Sequence, residues 1–262
     1  MTYPNLERIL GKTWLMNHSS HPYNQWIMKS KDSKEKSFLQ RLDDYLETAI
    51  PLLHATKRIQ SKLRNPPQFV DTYYELEVGC SLIDYGFEVD FEHTFPSELG
   101  NDKTPDIFVK KENVIVEVKT LHQSNDVEMG IKSGKVFKFN EAKRIKDDIL
   151  EELQKYGRNE IKCPLIVILC EYLIEPPIPS LDDLETVLLY RTDRGILIGS
   201  KFHLTTDVEY GGLYYVDKGR QADILSGVGL WRKKLVCFYE NPNVNRYGKI
   251  PRGKFLDFLK SF

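Results

Sequence analysis

Apolar positions recur at helical spacing from residue 33 to residue 86, and strand-like runs join them after it. Phe38, Leu42, Tyr45 and Leu46 fall at three- and four-residue steps and predict a helix that Asp32 or Ser33 can cap. Pro51 should split it, because a proline inside a helix removes a backbone hydrogen bond. A second helical stretch, residues 52–64, ends at Asn65-Pro66-Pro67, the expected boundary between an N-terminal helical extension (1–66) and a core domain (67–262). Residues 1–31 hold Trp14, Leu15, Trp26, Ile27 and Met28 but show no sustained period. From Phe69 to Tyr85 a stripe of Tyr73, Leu76, Cys80 and Ile83 predicts a helix stopped by Gly86. Gly79 would let that helix approach a sheet closely, and the run Phe87–Phe91 is expected to be the first strand.

The next strands predict a hairpin. Asp106 to Val109 is a short, mostly apolar run after Pro105, and Val114, Val116 and Val118 alternate with Ile115 and Glu117. The polar residues 110–113 lie between. With Lys111-Glu112 as the loop, Val109 opposes Val114, Phe108 opposes Ile115, Ile107 opposes Val116 and Asp106 opposes Glu117. Opposed side chains share a face with Cβ atoms about 4.5–5.5 Å apart. Lys119, two residues beyond Glu117, shares that face. A slip of one residue would separate the two acids. Lys-Glu suits a type I′ turn poorly, so Asn113 is the alternative bearer of a positive φ. Two acids and an amine on one face form a set suited to metal-dependent phosphodiester cleavage. Carboxylate oxygens suit Mg²⁺, and an amine can orient water and offset developing negative charge.

Further along, Phe139, Ala142, Ile145, Ile149, Leu153 and Tyr156 predict an amphipathic helix. Lys132, Lys135, Lys138, Lys143, Arg144 and Lys146 make its start and approach the most basic patch of the chain, either a contact for phosphates or an ordinary exposed face. Residues 163–170 form an unbroken apolar run, expected as a strand buried on both faces and reached by a right-handed crossover to a parallel neighbour. A short helix is expected over 181–190 and strands over 195–199 and 212–216. A closing hairpin, 225–231 with 235–239, turns at Arg232-Lys233-Lys234.

Pro105-Asp106, ten further residues and then Glu117-Val118-Lys119 resemble the signature of the PD-(D/E)xK nuclease superfamily. The resemblance covers roughly residues 69–170. It includes a helix carrying Glu75 eleven residues before Gly86, with Glu77 as the competing acid. It implies an α/β, restriction-endonuclease-like mixed sheet flanked by helices. It also implies a hydrolase that uses Mg²⁺ or Mn²⁺ to cut nucleic acid, DNA before RNA. Asp106, Glu117 and the Val118 carbonyl would hold the metal, and Glu75 would complete the acidic cluster or bind a second ion. Lys119 would position the attacking water.

Composition narrows this picture. The 262 residues are 41% hydrophobic and 29% charged, ordinary for a soluble globular protein. A formal net charge of -1 gives no basic surplus, so nucleic acid must be met by a local patch. Otherwise a partner protein or a second copy would supply contacts. Cys80, Cys163, Cys170 and Cys237 lack zinc spacing and read as buried thiols of a cytoplasmic protein. His18 and His21 sit in a loop-like segment and read as structural. The opening residues have no signal-peptide pattern and no run is long enough to span a membrane. Two rivals stand beside the nuclease: a catalytically inactive nuclease-fold binding or scaffold protein, and an unrelated α/β protein whose charges lie on an exposed sheet face.

Overall fold

The computed structural model describes residues 2–31, 33–53, 56–96, 102–121, 141–156, 162–171, 188, 190–192, 195–198, 201–204, 208–210, 224–244 and 247–260. Its amino-terminal half is a run of helices: α1 (Pro4–Leu10), α2 (Lys12–Asn17), α3 (Pro22–Ile27), α4 (Lys34–Ala49), α5 (Thr56–Arg64) and α6 (Pro66–Asp84). Proline begins α1, α3 and α6, where its missing N–H would have no helical partner anyway. The first three helices are six or seven residues long, too short for a period to register. Tertiary bonds fix them instead. His21 caps α3 by accepting the Tyr23 N–H at 3.2 Å, and its other ring nitrogen donates to the Leu63 carbonyl at 2.9 Å. Burial lowers the pKa of this histidine.

Ser33 caps α4 by accepting the Lys36 N–H at 3.2 Å. Pro51 lies in a single 3₁₀ turn, Ile50–Leu52, between α4 and α5. Asp43 on α4 accepts the Leu6 N–H at 2.8 Å, which docks α1. From α5, Gln60 donates to the Ile9 carbonyl at 2.5 Å and Arg64 to the Leu10 carbonyl at 2.6 Å. The helix α5 is thereby tied to α1 at two points.

The helix α6 is buried over most of its surface, its acids Glu75 and Glu77 included. It ends in a glycine stop: the Gly86 N–H bonds to Ile83 O at 2.7 Å and the Phe87 N–H to Leu82 O at 3.0 Å, with Gly86 at φ 82°. The chain then forms β1 (Val89–Phe91), β2 (Ile107–Val109) and β3 (Val114–Leu121), joined antiparallel. Phe91 packs its ring onto Gly79 of α6, where a Cβ would stand 2.2 Å from the nearest ring carbon.

Helix α7 (Glu141–Gln154) and strand β4 (Leu165–Glu171) follow. Leu165 to Cys170 of β4 are all buried, as their unbroken apolar run predicts. Two small antiparallel pairs come next, β5 (Tyr190–Thr192) with β8 (Val208–Tyr210) and β6 (Gly195–Ile198) with β7 (Lys201–Leu204). Strand β9 (Leu225–Trp231) runs parallel to β4, and β10 (Leu235–Glu240) returns antiparallel through Lys233 at φ 65°. Helix α8 (Lys254–Lys260) packs on β10. The fold is α/β: a six-stranded mixed sheet of order β1-β2-β3-β4-β9-β10, flanked by helices. The chain divides into two compact units, Met1–Thr120 and Leu121–Phe262. The expected strand over 212–216 and most of the expected helix over 181–190 lie outside the described residues.

All four cysteines are free thiols. Burial pushes Cys163 up to about 11 and Cys80 up to about 12, so both behave as small apolar groups. Among the described residues no helix is long and apolar enough to cross a membrane.

The contact between Gly79 and Phe91 generates a stability prediction. Gly79→Ala improves helix propensity but drives a methyl into the Phe91 ring, which is 1% exposed. Overpacking of this kind should lower stability by about 1–3 kcal/mol, read as a lower urea midpoint. A midpoint at or above that of the parent protein would show that the ring moves aside freely.

Candidate active site

The end of β1, the start of β2 and the middle of β3 carry three of the acids. The observed register pairs Ile107 with Val116 and Phe91 with Ile107. One step further places Asp106 between Glu117 on β3 and Glu92 just after β1, and the Glu92 N–H donates to the Asp106 carbonyl at 3.1 Å. The three ladder pairs predicted for the hairpin, Val109 with Val114, Phe108 with Ile115 and Ile107 with Val116, are those observed. Asn113 carries the turn at φ 53°, with its N–H donating to Lys110 O at 3.2 Å. Asp106 and Glu117 share one face, and both are buried, with Glu117 at 0% exposure. Lys119 lies two residues along on the same face and is half-buried. The Val118 N–H donates to Asp106 Oδ2 at 3.0 Å, which fixes that carboxylate in orientation.

The amino-terminal helices supply what the hairpin lacks. Glu75 projects from α6 and is buried. Lys62 of α5 places its Nζ 2.7 Å from Glu75 Oε2, 3.2 Å from Glu92 Oε1 and 3.5 Å from Asp106 Oδ1. Arg58 stands one turn earlier on α5 and reaches Glu92 Oε1 at 3.2 Å. One ammonium thus gathers Glu75 and Asp106, two of the four sequence-predicted acids and amines, together with Glu92. Burial alone would lower the pKa of Lys62, but Glu75, Asp106 and Glu92 outweigh it and raise the pKa, so the ammonium stays charged. Burial, and then the nearby Asp106, push Glu75 up to about 8 despite the opposing pull of Lys62. Burial likewise raises Glu92 against the pull of Lys62 and Arg58. Burial is the larger cause for both carboxylates, and the neighbouring Asp106 adds to it.

Lys62 and Glu92 are the site residues that sequence reasoning missed. In the sequence Lys62 stands in a basic row with Lys57, Arg58 and Arg64, a pattern that suits a solvated face or phosphate contact. The available signal was its place beside Ile59 and Leu63, both buried, on the edge of the apolar stripe of α5. Glu92 followed a strand run and belonged to no motif. Of the predicted nucleic-acid lysines, Lys132, Lys135 and Lys138 lie outside the described residues. Lys143 falls within α7, and its side chain lies outside them as well.

The donor set has the chemistry of a hard cation's site: carboxylate oxygens, with Glu92 Oε2 buried and without a hydrogen-bond partner among the described residues. The spacing is that of an ammonium, not of Mg²⁺, whose ligands stand at about 2.0–2.1 Å. Accordingly, among the described residues no three His, Cys, Asp or Glu side chains are gathered as a metal cluster. No known family model matches the chain, and no curated protein or solved structure matches it either.

The buried Glu75 makes stability depend on pH. Its ordinary value is 4.5 and its folded value about 8, so the folded state holds the proton between the two. Its contribution is complete below the lower value and is lost as pH rises through the upper one. Glu92 acts in the same direction. In chelator, the protein should melt at progressively lower temperature as pH rises from about 5 to about 8, and Glu75→Gln should flatten that decline. Parallel melting curves for the two proteins would remove Glu75 as its source.

Proposed function

We infer that this protein is a divalent-metal-dependent nuclease with a restriction-endonuclease-like core, acting on nucleic acid, DNA first, in the cytoplasm. What supports this reading is the hairpin register: continued one step past Ile107–Val116, it sets buried Asp106 opposite buried Glu117, with Lys119 two residues further along β3. A bound Mg²⁺ or Mn²⁺ would polarise a phosphoryl oxygen and make water more acidic. Asp106 and Glu117 would hold it with the Val118 carbonyl, and Glu75 would complete the acidic wall. The bond from the Val118 N–H keeps one Asp106 oxygen oriented, leaving Oδ1 to face the cation. Lys119 would orient the attacking water and offset charge developing on the phosphoryl oxygens. Lys132, Lys135, Lys138 and Lys143 would meet the phosphate backbone. A second copy or a partner protein would extend those contacts, since the chain has no net basic charge.

A non-catalytic role as a nuclease-fold binding or scaffold protein is favoured by one observation, the ion pairs of Lys62 with Glu75 and Asp106. They neutralise the acids without any metal.

Two outcomes test the nuclease. Purified protein should cut DNA in Mg²⁺ or Mn²⁺ and not in chelator. Asp106→Ala or Glu117→Ala should abolish both metal affinity and cleavage, whereas Lys119→Ala should keep metal binding and lose turnover by several orders of magnitude. Metal binding without cleavage across a broad DNA and RNA panel would turn the conclusion toward the scaffold. Separately, Lys135→Glu with Lys138→Glu should weaken DNA binding for all sequences alike and flatten its salt dependence by about one unit of slope per lost contact. An unchanged affinity and slope would return these lysines to solvent.

A further inference from the structure

Lys62 has no place in the hairpin signature, yet its ammonium stands among three of the acids that surround the site. We propose that Lys62 is a built-in competitor for the divalent cation: its ammonium holds the position between Glu75, Glu92 and Asp106, and metal entry expels it. This rests on the nuclease function inferred above and adds a step before it, in which the protein must first give up its own cation.

Three features support the exchange. The first is placement, since the carboxylate oxygens of Glu75, Glu92 and Asp106 lie 2.7, 3.2 and 3.5 Å from one nitrogen. A divalent ion would draw such oxygens in to about 2.0–2.1 Å and bring twice the charge, so the two cations cannot share the position. The second is the means of departure. The Lys62 side chain is 13% exposed, so part of it already meets water. It has four rotatable carbons, while the backbone of α5 is held at Gln60 and Arg64. The ammonium can leave without the helix leaving. The third is Glu92. Its side chain is 2% exposed, Arg58 holds it by an ion pair at Oε1, and neither carboxylate oxygen has a hydrogen-bond partner among the described residues. Once Lys62 has gone, Glu92 remains in place as a ligand with a spare oxygen. Glu92 therefore joins Asp106, Glu117 and Glu75 on the metal.

In such an equilibrium the measured affinity is the intrinsic one reduced by the fraction of molecules with the lysine out. A minor state of ten per cent or less makes that reduction about tenfold or more. The test uses the full chain and Mn²⁺. Calorimetric titration of Lys62→Met should show Mn²⁺ binding about tenfold or more tighter than in the parent protein. In the parent protein, reductive methylation read by peptide mass should modify Lys62 slowly in chelator and several-fold faster in saturating Mn²⁺. Equal or weaker Mn²⁺ binding by Lys62→Met overturns the proposal, as does a Lys62 that stays protected while Mn²⁺ is bound. If Lys62→Met does not fold, methylation of the parent protein decides alone. Should the proposal fail while Mn²⁺ still binds the parent protein and not Asp106→Asn, the nuclease function stands without it. If Mn²⁺ does not bind the parent protein, both fall together.

Discussion

An ammonium group tied to the chain at residue 62 is what allows the acids of the first unit to lie together out of water. Each buried carboxylate costs several kcal/mol in lost hydration, and that cost is recovered only where a cation and hydrogen bonds compensate it. Lys62 compensates Glu75, Glu92 and Asp106 at once, Arg58 reinforces Glu92, and the Val118 N–H serves Asp106. The positions of α5, α6, the end of β1, the start of β2 and the middle of β3 are therefore bound to one charge balance. Even with these partners in place, burial and the nearby Asp106 keep a proton on Glu75 well above the usual carboxylate range.

What could be read in the sequence was local. The pairing of Ile107 with Val116 follows from a period of two and a short polar turn, and the stop of α6 follows from Gly86. The closing hairpin of β9 and β10 was likewise marked by two apolar runs around a basic turn. What could not be read depends on partners distant in the chain. Lys62 meets acids at 75, 92 and 106, and nothing within a helical turn of Lys62 announces them. The short helices before residue 31 are fixed by bonds such as that of His21 to Leu63, so their sequence needs no strong period of its own. Half of the candidate site was thus visible as a motif, and its counter-charge was visible only in three dimensions.

The backbone shows where this balance costs something. Glu92 sits at φ 54°, a left-handed conformation that disfavours a residue with a Cβ by about 1–2 kcal/mol. Asn113 at φ 53° meets the same demand more easily, because a short amide side chain tolerates it. A glutamate in this conformation has to be held by its surroundings, and Arg58 and Lys62 are the groups that hold it. The left-handed turn ends β1 and sets Glu92 beside Asp106, so local strain and the assembly of the acids are one event.

Arg58 and Lys62 precede Pro66, while every acid they neutralise follows it. Charge and motif are thus written in different stretches of the chain. A shortened protein beginning at Pro66 would keep every letter from Pro105-Asp106 to Glu117-Val118-Lys119, yet it would present those acids as an uncompensated polyanion. The signature can be transplanted as text, but its neutrality is inherited from helices upstream.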